Sequence, residues 1–268
     1  MKLFDSHTHS QFSPDSRMTM ESAIKAAIRK GLGGIIFTDH YDVDPPPSII
    51  AFDFQPEAQQ FAIDQIKGRF SDFEVLKGIE VGVQKKSLNK IESFVNRYNF
   101  DMIIASVHFV NELDPYFGDY YKKYDWHDAY RNYLLNIFEC ISVYDNFDAV
   151  GHFDYIVRYS PYKQKMMKYS DFADEFEAIF KILRDKGKAL EINTNTYRAK
   201  YGEAPVLDAE ILRRYKEAGG ELVSLCSDAH DDYRVAENFE KYRDIIKTSG
   251  FSYIAHFKER SPILTKIN

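Results

Sequence analysis

The chain has 268 residues, of which 44% are hydrophobic and 28% are charged. That apolar share suffices for the core of an enzyme-sized domain, and the charge is too low for a disordered chain. The formal net charge of −6 argues against a general nucleic-acid binder, because contacts to a phosphate backbone need clustered Lys and Arg.

Two further features concern the cellular setting. Cys140 and Cys226 are the only cysteines, which excludes a disulfide framework and a cysteine-rich zinc site and indicates a reducing compartment. The chain begins without a charged-then-apolar leader and contains no apolar run of about 18 residues or more. We therefore expect a cytoplasmic protein without membrane contacts, acting as a monomer or a small homo-oligomer.

Short apolar runs alternate with longer stretches of helical period, which is typical of parallel strands joined by crossover helices. Thr19, Ser87 and Ser170-Asp171 mark helix starts, and Gly187 and Gly219-Gly220 mark helix ends. We predict strands over residues 2–6, 34–38, 75–81, 102–107, 149–152, 189–193 and 222–227, with residues 251–257 as a candidate eighth strand.

Imidazole and carboxylate side chains recur at the ends of these strands. Successive side chains of an extended strand point to opposite faces, so His7 and His9 share one face, and so do Asp228 and His230. These groups are ligands for divalent transition metals, and the two oxygens of Glu80 suit a bridge between two ions. For a single His-x-His, ordinary polar residues at a strand end are the alternative.

The positions of these side chains argue for one site. All lie at C-terminal strand ends, which face a single mouth in a closed parallel α/β barrel. Unrelated polar residues would be scattered over the helices and both ends of the barrel. The sequence therefore predicts a polynuclear metal site at this mouth, built from His7, His9, His40, Glu80, His108, His152, Asp228 and His230.

These pieces resemble the signature motifs of the polymerase and histidinol phosphatase (PHP) superfamily over nearly the whole chain. The matching motifs are His7-Thr8-His9, Thr38-Asp39-His40, Gly78-Ile79-Glu80, Ser106-Val107-His108, Gly151-His152 and Ser227-Asp228-Ala229-His230. Two segments are similar to the histidinol-phosphate phosphatase branch. They are Gly151-His152-Phe153-Asp154-Tyr155 followed by Arg158, and Glu191-Ile192-Asn193-Thr194-Asn195 followed by Arg198.

The resemblance implies a single PHP-type domain over residues 1–268, folded as a distorted TIM-like (β/α)7 barrel that holds three divalent ions, either zinc, manganese or iron. It assigns the first ion to His7, His9, Glu80 and Asp228, the second to Glu80, His108 and His152, and the third to Asp15, His40 and His230. Many relatives carry His where this chain has Asp15, so the third site differs from theirs. A turn residue after Pro14 is the alternative interpretation of Asp15.

The expected chemistry is attack on phosphorus by a hydroxide that bridges two ions. Glu80, Asp228 and His230 are the candidate catalytic residues, although the sequence does not assign the proton donor for the leaving alkoxide. Asp39 is expected to orient a neighbouring imidazole. Arg158 and Arg198 follow strand ends, where a guanidinium can hold a phosphate through two hydrogen bonds, with a surface ion pair as the alternative for each.

The resemblance implies hydrolysis of L-histidinol phosphate to L-histidinol and inorganic phosphate in histidine biosynthesis. Acidic and aromatic loops at residues 41–44 and 112–121 would meet the amine and the imidazole, with solvated loop charge as the alternative for any one acid. His127 and His256 are interpreted as packing residues. The alternative functions are a phosphodiesterase or nuclease, which the negative charge disfavours, a phosphatase for another small phosphomonoester, and a non-catalytic metal-binding domain.

Overall fold

A computed structural model describes residues 2–47, 49, 54–70, 72–200 and 202–267. Within them, neighbouring strands pair in parallel along one path, and the short β3 pairs beside the second half of β4. The strands of this sheet are β1 (Phe4–Thr8), β2 (Gly34–Phe37), β3 (His40–Asp42), β4 (Glu74–Gly82), β5 (Met102–Ser106), β6 (Ala149–Val150), β7 (Ala189–Asn193) and β8 (Val223–Cys226). The predicted α/β barrel with seven principal strands is confirmed.

The barrel is nearly closed at the seam between β1 and β8. One parallel bridge joins Thr8 to Ala229, just beyond the end of β8. The Asp228 N–H donates to the His7 carbonyl at 2.9 Å, and the His9 N–H donates to the Ala229 carbonyl at 2.9 Å. The first and last strands of the barrel therefore meet at the positions of the predicted metal ligands.

Helices connect the strands; the longer ones pack on the outside of the barrel, and the short helix Tyr155–Arg158 lies at its mouth. The helices are α1 (Met20–Arg29), α2 (Pro56–Lys67), α3 (Leu88–Val95), α4 (Trp126–Val143), α5 (Tyr155–Arg158), α6 (Ala173–Lys186), α7 (Ala209–Glu217) and α8 (Phe239–Thr248). Thr19 caps α1 by accepting the Ser22 N–H, and Asp125 caps α4 by accepting the Asp128 N–H. Gly187 ends α6 with a φ of 62°, as the sequence predicted.

The N-terminal end of the barrel is filled by apolar side chains and covered by a hairpin. The hairpin consists of β9 (Tyr253–Lys258) and β10 (Ser261–Lys266), which pair in antiparallel fashion. Phe257 of β9 packs against residues from six barrel strands, namely Phe4, Ile36, Leu76, Met102 and Ile104, Ala149, and Ala189. The opposite end is left open for polar side chains.

Several predicted elements need correction. Residues 251–257 do not add an eighth barrel strand, because β9 pairs with β10 instead. Residues 222–227 form a shorter strand, since β8 ends at Cys226 and Asp228 has a φ of 50°, so strand alternation does not relate Asp228 to His230. The predicted helix starts at Ser87 and Ser170-Asp171 are confirmed, since α3 begins at Leu88 and α6 begins at Ala173 after a 3-10 turn, although the Ser87 hydroxyl bonds Asp44 and does not cap α3.

Among the described residues, no helix has both the length and the apolar character needed to cross a membrane.

Candidate metal centre and phosphate pocket

The ligands predicted for the first ion converge at the seam. The Nε2 atoms of His7 and His9 are 3.1 Å apart, and both lie close to Glu80 Oε2, at 3.3 and 3.5 Å. Asp228 Oδ1 lies 3.2 Å from His9 Nε2 and 3.8 Å from His7 Nε2. Two ligands of a tetrahedral zinc ion lie roughly 3.4 Å apart, given metal–ligand distances of about 2.0–2.2 Å. The spacing fits four donors around one cation.

The other oxygen of Glu80 faces a second pair of imidazoles. Glu80 Oε1 lies 2.8 Å from His152 Nε2 and 3.2 Å from His108 Nε2. Glu80 is fully buried at the end of β4 and has donor atoms on both sides. Its carboxylate is therefore placed between two groups of ligands, which is the position that a bridging ligand needs.

Asp15 joins the cluster from the loop after β1. Its Oδ2 lies 3.1 Å from His230 Nε2, and its Oδ1 lies 3.7 Å from His40 Nε2. His40 also turns its Nδ1 to within 2.8 Å of Glu80 Oε2. Donors within 4.8 Å of one another include both the His9–His40–His230 group and the His40–Glu80–His108 group. His40 thus stands between the second and third predicted sites rather than in the third alone.

Several buried atoms of the cluster lack a hydrogen bond of acceptable geometry. They are His40 Nδ1, Glu80 Oε2, His152 Nδ1 and His230 Nε2. His40 Nδ1 lies 2.8 Å from Glu80 Oε2, and His230 Nε2 lies 3.1 Å from Asp15 Oδ2, without the alignment of a hydrogen bond. An unpaired buried polar atom costs about 1–3 kcal/mol. Lone pairs that face a shared space, on imidazoles and carboxylates, form a donor set suited to divalent transition metals. The residues present therefore fit a multinuclear metal centre.

Carboxylates behind the cluster fix the imidazole tautomers. Glu191 of β7 accepts at 3.0 Å from Nδ1 of His7. Its other oxygen accepts at 3.0 Å from the backbone N–H of His152. Asp42 Oδ1 lies 2.8 Å from His108 Nδ1. A proton held on Nδ1 leaves the Nε2 lone pair directed at the cluster. Sequence reasoning missed these roles, although Glu191 stands in a quoted motif at a strand end.

Asp39 acts on His9 through a serine. It accepts from the Ser10 N–H at 2.6 Å and from the Ser13 hydroxyl at 2.9 Å, and the Ser13 oxygen lies 3.0 Å from His9 Nδ1. Because the Ser13 proton goes to Asp39, the oxygen of Ser13 accepts from His9. The predicted orienting role of Asp39 is therefore indirect, and Ser13 is a second residue that the sequence did not identify.

Mutual attraction controls the electrostatics of the cluster. Burial alone raises the pKa of Glu80, but the imidazoles of His7, His108 and His40 hold that pKa well below its usual range. Burial together with His230 and His40 lowers the pKa of His9 well below its usual value. The central carboxylate is thus ionised and His9 is neutral, and both are the forms that bind metal. Burial alone lowers the pKa values of His7 and His108, but nearby carboxylates raise them well above the usual range, so these imidazoles would release protons when metal binds.

The two predicted phosphate-binding arginines differ in their surroundings. Arg158 is 8% exposed, donates to Asp228 Oδ2 at 2.9 Å and lines the pocket above the cluster, with its Nε–H lacking a partner. Arg198 Nε lies 2.6 Å from Glu237 Oε2 and does not line that pocket among the described residues. Burial lowers the pKa of Arg198 to about 10, against the opposing effect of Glu237.

The pocket above the cluster has a volume of about 370 Å³, within the size range of small-molecule sites. Asp42 and Asp114 from the two predicted substrate loops line it, together with the aromatic residues Phe109, Tyr116, Phe117, Tyr155 and Tyr159. Other acids of these loops form surface ion pairs instead: Asp44 with Lys90, Glu112 with Lys86 and Asp119 with Lys122.

His127 and His256 lie outside the cluster, as predicted. The His127 ring stacks on Phe172 with centroids 5.0 Å apart, and the His256 ring stacks on Phe4 at 3.8 Å.

Comparisons with known proteins agree with this geometry. Residues 5–195 match the family model described as PHP domain. The chain is 34% identical over 262 residues to the histidinol-phosphatase of Lactococcus lactis, with 96% of this chain and 95% of the relative covered. It is 30% identical over 239 residues to a probable histidinol-phosphatase of Clostridium acetobutylicum, with 89% and 90% covered.

A solved structure extends the likeness to three dimensions. The crystal structure of histidinol phosphate phosphatase from Lactococcus lactis, in complex with zinc, L-histidinol and phosphate, superimposes with a TM-score of 0.89. The two chains are 30% identical, with 98% of this chain and 99% of the other covered. The chain therefore belongs to the PHP domain family and, within it, to the histidinol-phosphatase branch.

Proposed function

We propose that this chain is a metal-dependent phosphatase that hydrolyses L-histidinol phosphate to L-histidinol and inorganic phosphate in histidine biosynthesis. One observation carries the proposal: a single pocket joins the imidazole and carboxylate cluster, the Arg158 guanidinium and a wall of acids and aromatic rings. The Lactococcus lactis relative, which is crystallised with zinc, L-histidinol and phosphate, supports the choice of substrate.

Three divalent ions fit the donors, and zinc, manganese and iron all accept these ligands. We assign the first ion to His7, His9, Glu80 and Asp228, the second to Glu80, His108 and His152, and the third to Asp15, His40 and His230. When bound, such ions supply Lewis acidity that lowers the pKa of water and offsets the charge of phosphoryl oxygens. The donor spacings at Glu80 support a bridging role for its carboxylate.

Arg158 and Arg198 are assigned to the phosphoryl group. The unpartnered Nε–H of Arg158 supports this role, since a buried donor without an acceptor is available to a phosphoryl oxygen. Arg198 would exchange its contact with Glu237 for the phosphate. Asp228 holds Arg158 through Oδ2 while its Oδ1 faces His9, so it couples the phosphate side of the pocket to the metal side.

Glu80, Asp228 and His230 form the catalytic set. Asp228 and His230 line the pocket, and the backbone carbonyl of Asp228 lies 3.1 Å from His230 Nδ1, which orients the imidazole. Glu80 lies beneath them with both oxygens among ligand atoms. These three residues keep donor atoms around the position that the reacting phosphate would occupy.

The remaining walls would select the organic part of the substrate. Asp42 and Asp114 present carboxylates to a cation, and Tyr116, Phe117 and Tyr159 present rings to an imidazole. Phosphomonoesters whose organic part carries no positive charge or ring would make fewer of these contacts. We further propose that residues 1–268 act as one PHP-type domain, in the cytoplasm, as a monomer or a small homo-oligomer.

The test is a substrate panel with protein reconstituted separately with zinc, manganese and iron. L-Histidinol phosphate, other small phosphomonoesters and single-stranded DNA are compared by kcat/KM, before and after removal of the metal by a chelator. We expect L-histidinol phosphate to rank first, with activity lost on chelation and restored by the ion. A better phosphomonoester would overturn the substrate, and preferred cleavage of DNA would overturn the phosphatase. Bound metal without turnover would favour a non-catalytic domain.

A further inference from the structure

Asp5 opens the motif Asp5-Ser6-His7-Thr8-His9 and has no role in the proposed chemistry. Its side chain is fully buried on β1. Oδ1 accepts from the Ser227 N–H at 2.9 Å, while Oδ2 accepts from the Ser227 hydroxyl at 2.6 Å and from the Ala236 N–H at 2.9 Å. One carboxylate therefore binds three donors on a segment that follows the last barrel strand.

That segment, residues 227–236, carries two predicted ligands. It leaves the barrel at Ser227, immediately after β8, and presents Asp228 and His230 to the cluster. It returns to the barrel at Ala236, where the second backbone contact to Asp5 is made. Asp5 thus holds both ends of the segment on β1, across the seam where, in the described part of the chain, a single bridge joins β1 to the residues beyond β8.

The backbone of this segment is strained. Asp228 has a φ of 50° and Ala236 has a φ of 53°, in a region that residues other than glycine rarely adopt. Such conformations persist only where the surroundings determine them. The N–H of Asp228 is held by the His7 carbonyl and the N–H of Ala236 is held by Asp5. The next residue, Glu237, is the partner of Arg198.

We propose that Asp5 is a positioning residue that fastens both ends of residues 227–236 to β1 and so holds Asp228 and His230 at the mouth of the barrel. It acts on the ligands only through the segment. The proposal concerns the geometry of the centre and does not depend on which phosphomonoester is the substrate.

The contacts of Asp5 can be removed to different extents by substitution. In Asp5→Asn one oxygen becomes an NH₂ group, so one of the two backbone N–H groups loses its acceptor whichever way the amide is turned. Ser227→Ala removes only the hydroxyl contact and leaves both backbone contacts in place. Asp101→Asn is the matched control, because Asp101 joins two segments in the same way at the opposite end, by accepting from the Lys77 and Glu259 N–H groups at 2.9 and 3.0 Å.

The measurements are amide hydrogen exchange, zinc affinity by competition with a chromophoric chelator, and the absorption spectrum of the Co²⁺-loaded protein. For Asp5→Asn we expect faster exchange confined to residues 227–238, an altered Co²⁺ spectrum and a loss of zinc affinity of about 10–100-fold, as for other residues that orient metal ligands. Ser227→Ala should give the same pattern more weakly. Asp101→Asn should leave residues 227–238, the spectrum and the affinity unchanged.

Unchanged exchange and spectrum in a folded Asp5→Asn protein would overturn the proposal. Exchange that rises equally in β4 and β5 would also overturn it, because Asp5 would then support the whole barrel. If Asp5→Asn does not fold, Ser227→Ala carries the same comparison, and no local change in that variant rejects the role. None of these readouts involves phosphate ester hydrolysis, so the proposed function can fail without affecting the outcome.

Discussion

Both ends of the barrel bury carboxylates and imidazoles, but the hydrogen bonding of these side chains differs between the two ends. At the mouth, Glu80 Oε2 and His40 Nδ1 are buried without an aligned hydrogen bond. At the N-terminal end, Asp148 accepts from the Ile103 N–H at 2.8 Å and from Arg260 Nε at 2.5 Å, and His256 stacks on Phe4. Asp148 thus has hydrogen-bonded partners within the fold, whereas these atoms of the mouth face one another without aligned hydrogen bonds and suit a bound cation.

This difference suggests that the N-terminal end contributes mainly to stability and the mouth mainly to activity. A buried polar group without a partner destabilises the folded state by about 1–3 kcal/mol, so a fold gains nothing by keeping several of them together. A paired carboxylate such as Asp148 has the opposite effect, because removal of either partner leaves the other uncompensated. We therefore expect substitutions at the mouth to reduce turnover with little loss of stability, and substitutions at the opposite end to do the reverse.

The largest expected effect is that of His108→Ala at the mouth. The variant removes a predicted ligand that faces Glu80 and is oriented by Asp42. Loss of several kcal/mol of charge stabilisation should lower kcat/KM by about 10³-fold or more. The free energy of unfolding of the metal-free protein should fall by only about 1–2 kcal/mol, because the contacts of His108 to Asp42 and Glu80 are lost but both carboxylates keep other surroundings in the open pocket. Steady-state kinetics and urea unfolding of the same preparations measure both quantities.

A variant of His108 that unfolds readily but keeps its activity per folded molecule would reverse the assignment of this end of the barrel. The centre would then be structural, and the open pocket above it would need another explanation.

The second prediction concerns Asp148→Ala at the N-terminal end. The substitution leaves the Ile103 N–H and the Nε–H of Arg260 without their acceptor, and we expect a loss of about 3 kcal/mol in the free energy of unfolding. The kcat/KM of the folded fraction should not change. Asp185→Ala is the control, because Asp185 forms exposed pairs with Lys181 and Arg184, and such surface pairs are each worth less than about 1 kcal/mol. Equal losses in the two variants would contradict the prediction.

The sequence could propose the ligands of the mouth because the information needed for them is local, and their role as ligands stays a prediction. Ligand chemistry limits the residue types, and strand ends place them, so His7, His9, Glu80, His108 and His152 were found without knowledge of the fold. Asp228 was found for the wrong reason, since its φ of 50° removes it from the strand alternation that suggested it.

Partners across the barrel could not be predicted in this way. Glu191 lies 184 positions from His7, and Asp5 lies 222 positions from Ser227. Such pairs form only when the barrel closes, so the distance between the two residues along the sequence does not predict them. The same holds for Arg198, whose pairing with Glu237 depends on how the segment after β8 returns to the barrel. The sequence suggested that residues 251–257 form an eighth barrel strand, because their apolar pattern also suits a barrel. In the structure they belong to the hairpin of β9 and β10.

A smaller effect is expected for Glu191→Gln, which alters the support of the centre and leaves the proposed ligands in place. Glu191 accepts from His7 and His152 with different oxygens, and an amide has only one acceptor for these two donors. We expect metal affinity or kcat/KM to fall by about 10–100-fold. Glu175→Gln is the matched control, because Glu175 is also buried but pairs with Arg131 on the outside of the barrel. Unchanged metal binding in Glu191→Gln would mean that His7 needs no orienting carboxylate.

The smallest predicted effect is a pH dependence at the N-terminal end. Burial lowers the pKa of His256 to about 4, against the attraction of Glu74 and with help from Lys258, whereas an unfolded histidine titrates near 6.5. Between these values the unfolded chain holds a proton that the folded chain does not, so the contribution of His256 to stability falls as pH is lowered from 6.5 towards 4. His256→Phe keeps a ring against Phe4 and removes this titration.

Urea unfolding of the metal-free wild type and of His256→Phe, at several pH values from 7 to 4.5, tests this directly. The histidines and carboxylates of the mouth titrate in both proteins and cancel in the difference, so the remaining pH dependence reports His256. We expect the variant to lose less stability than the wild type as the pH falls. Parallel curves would mean that His256 binds its proton equally well in the folded and unfolded chains.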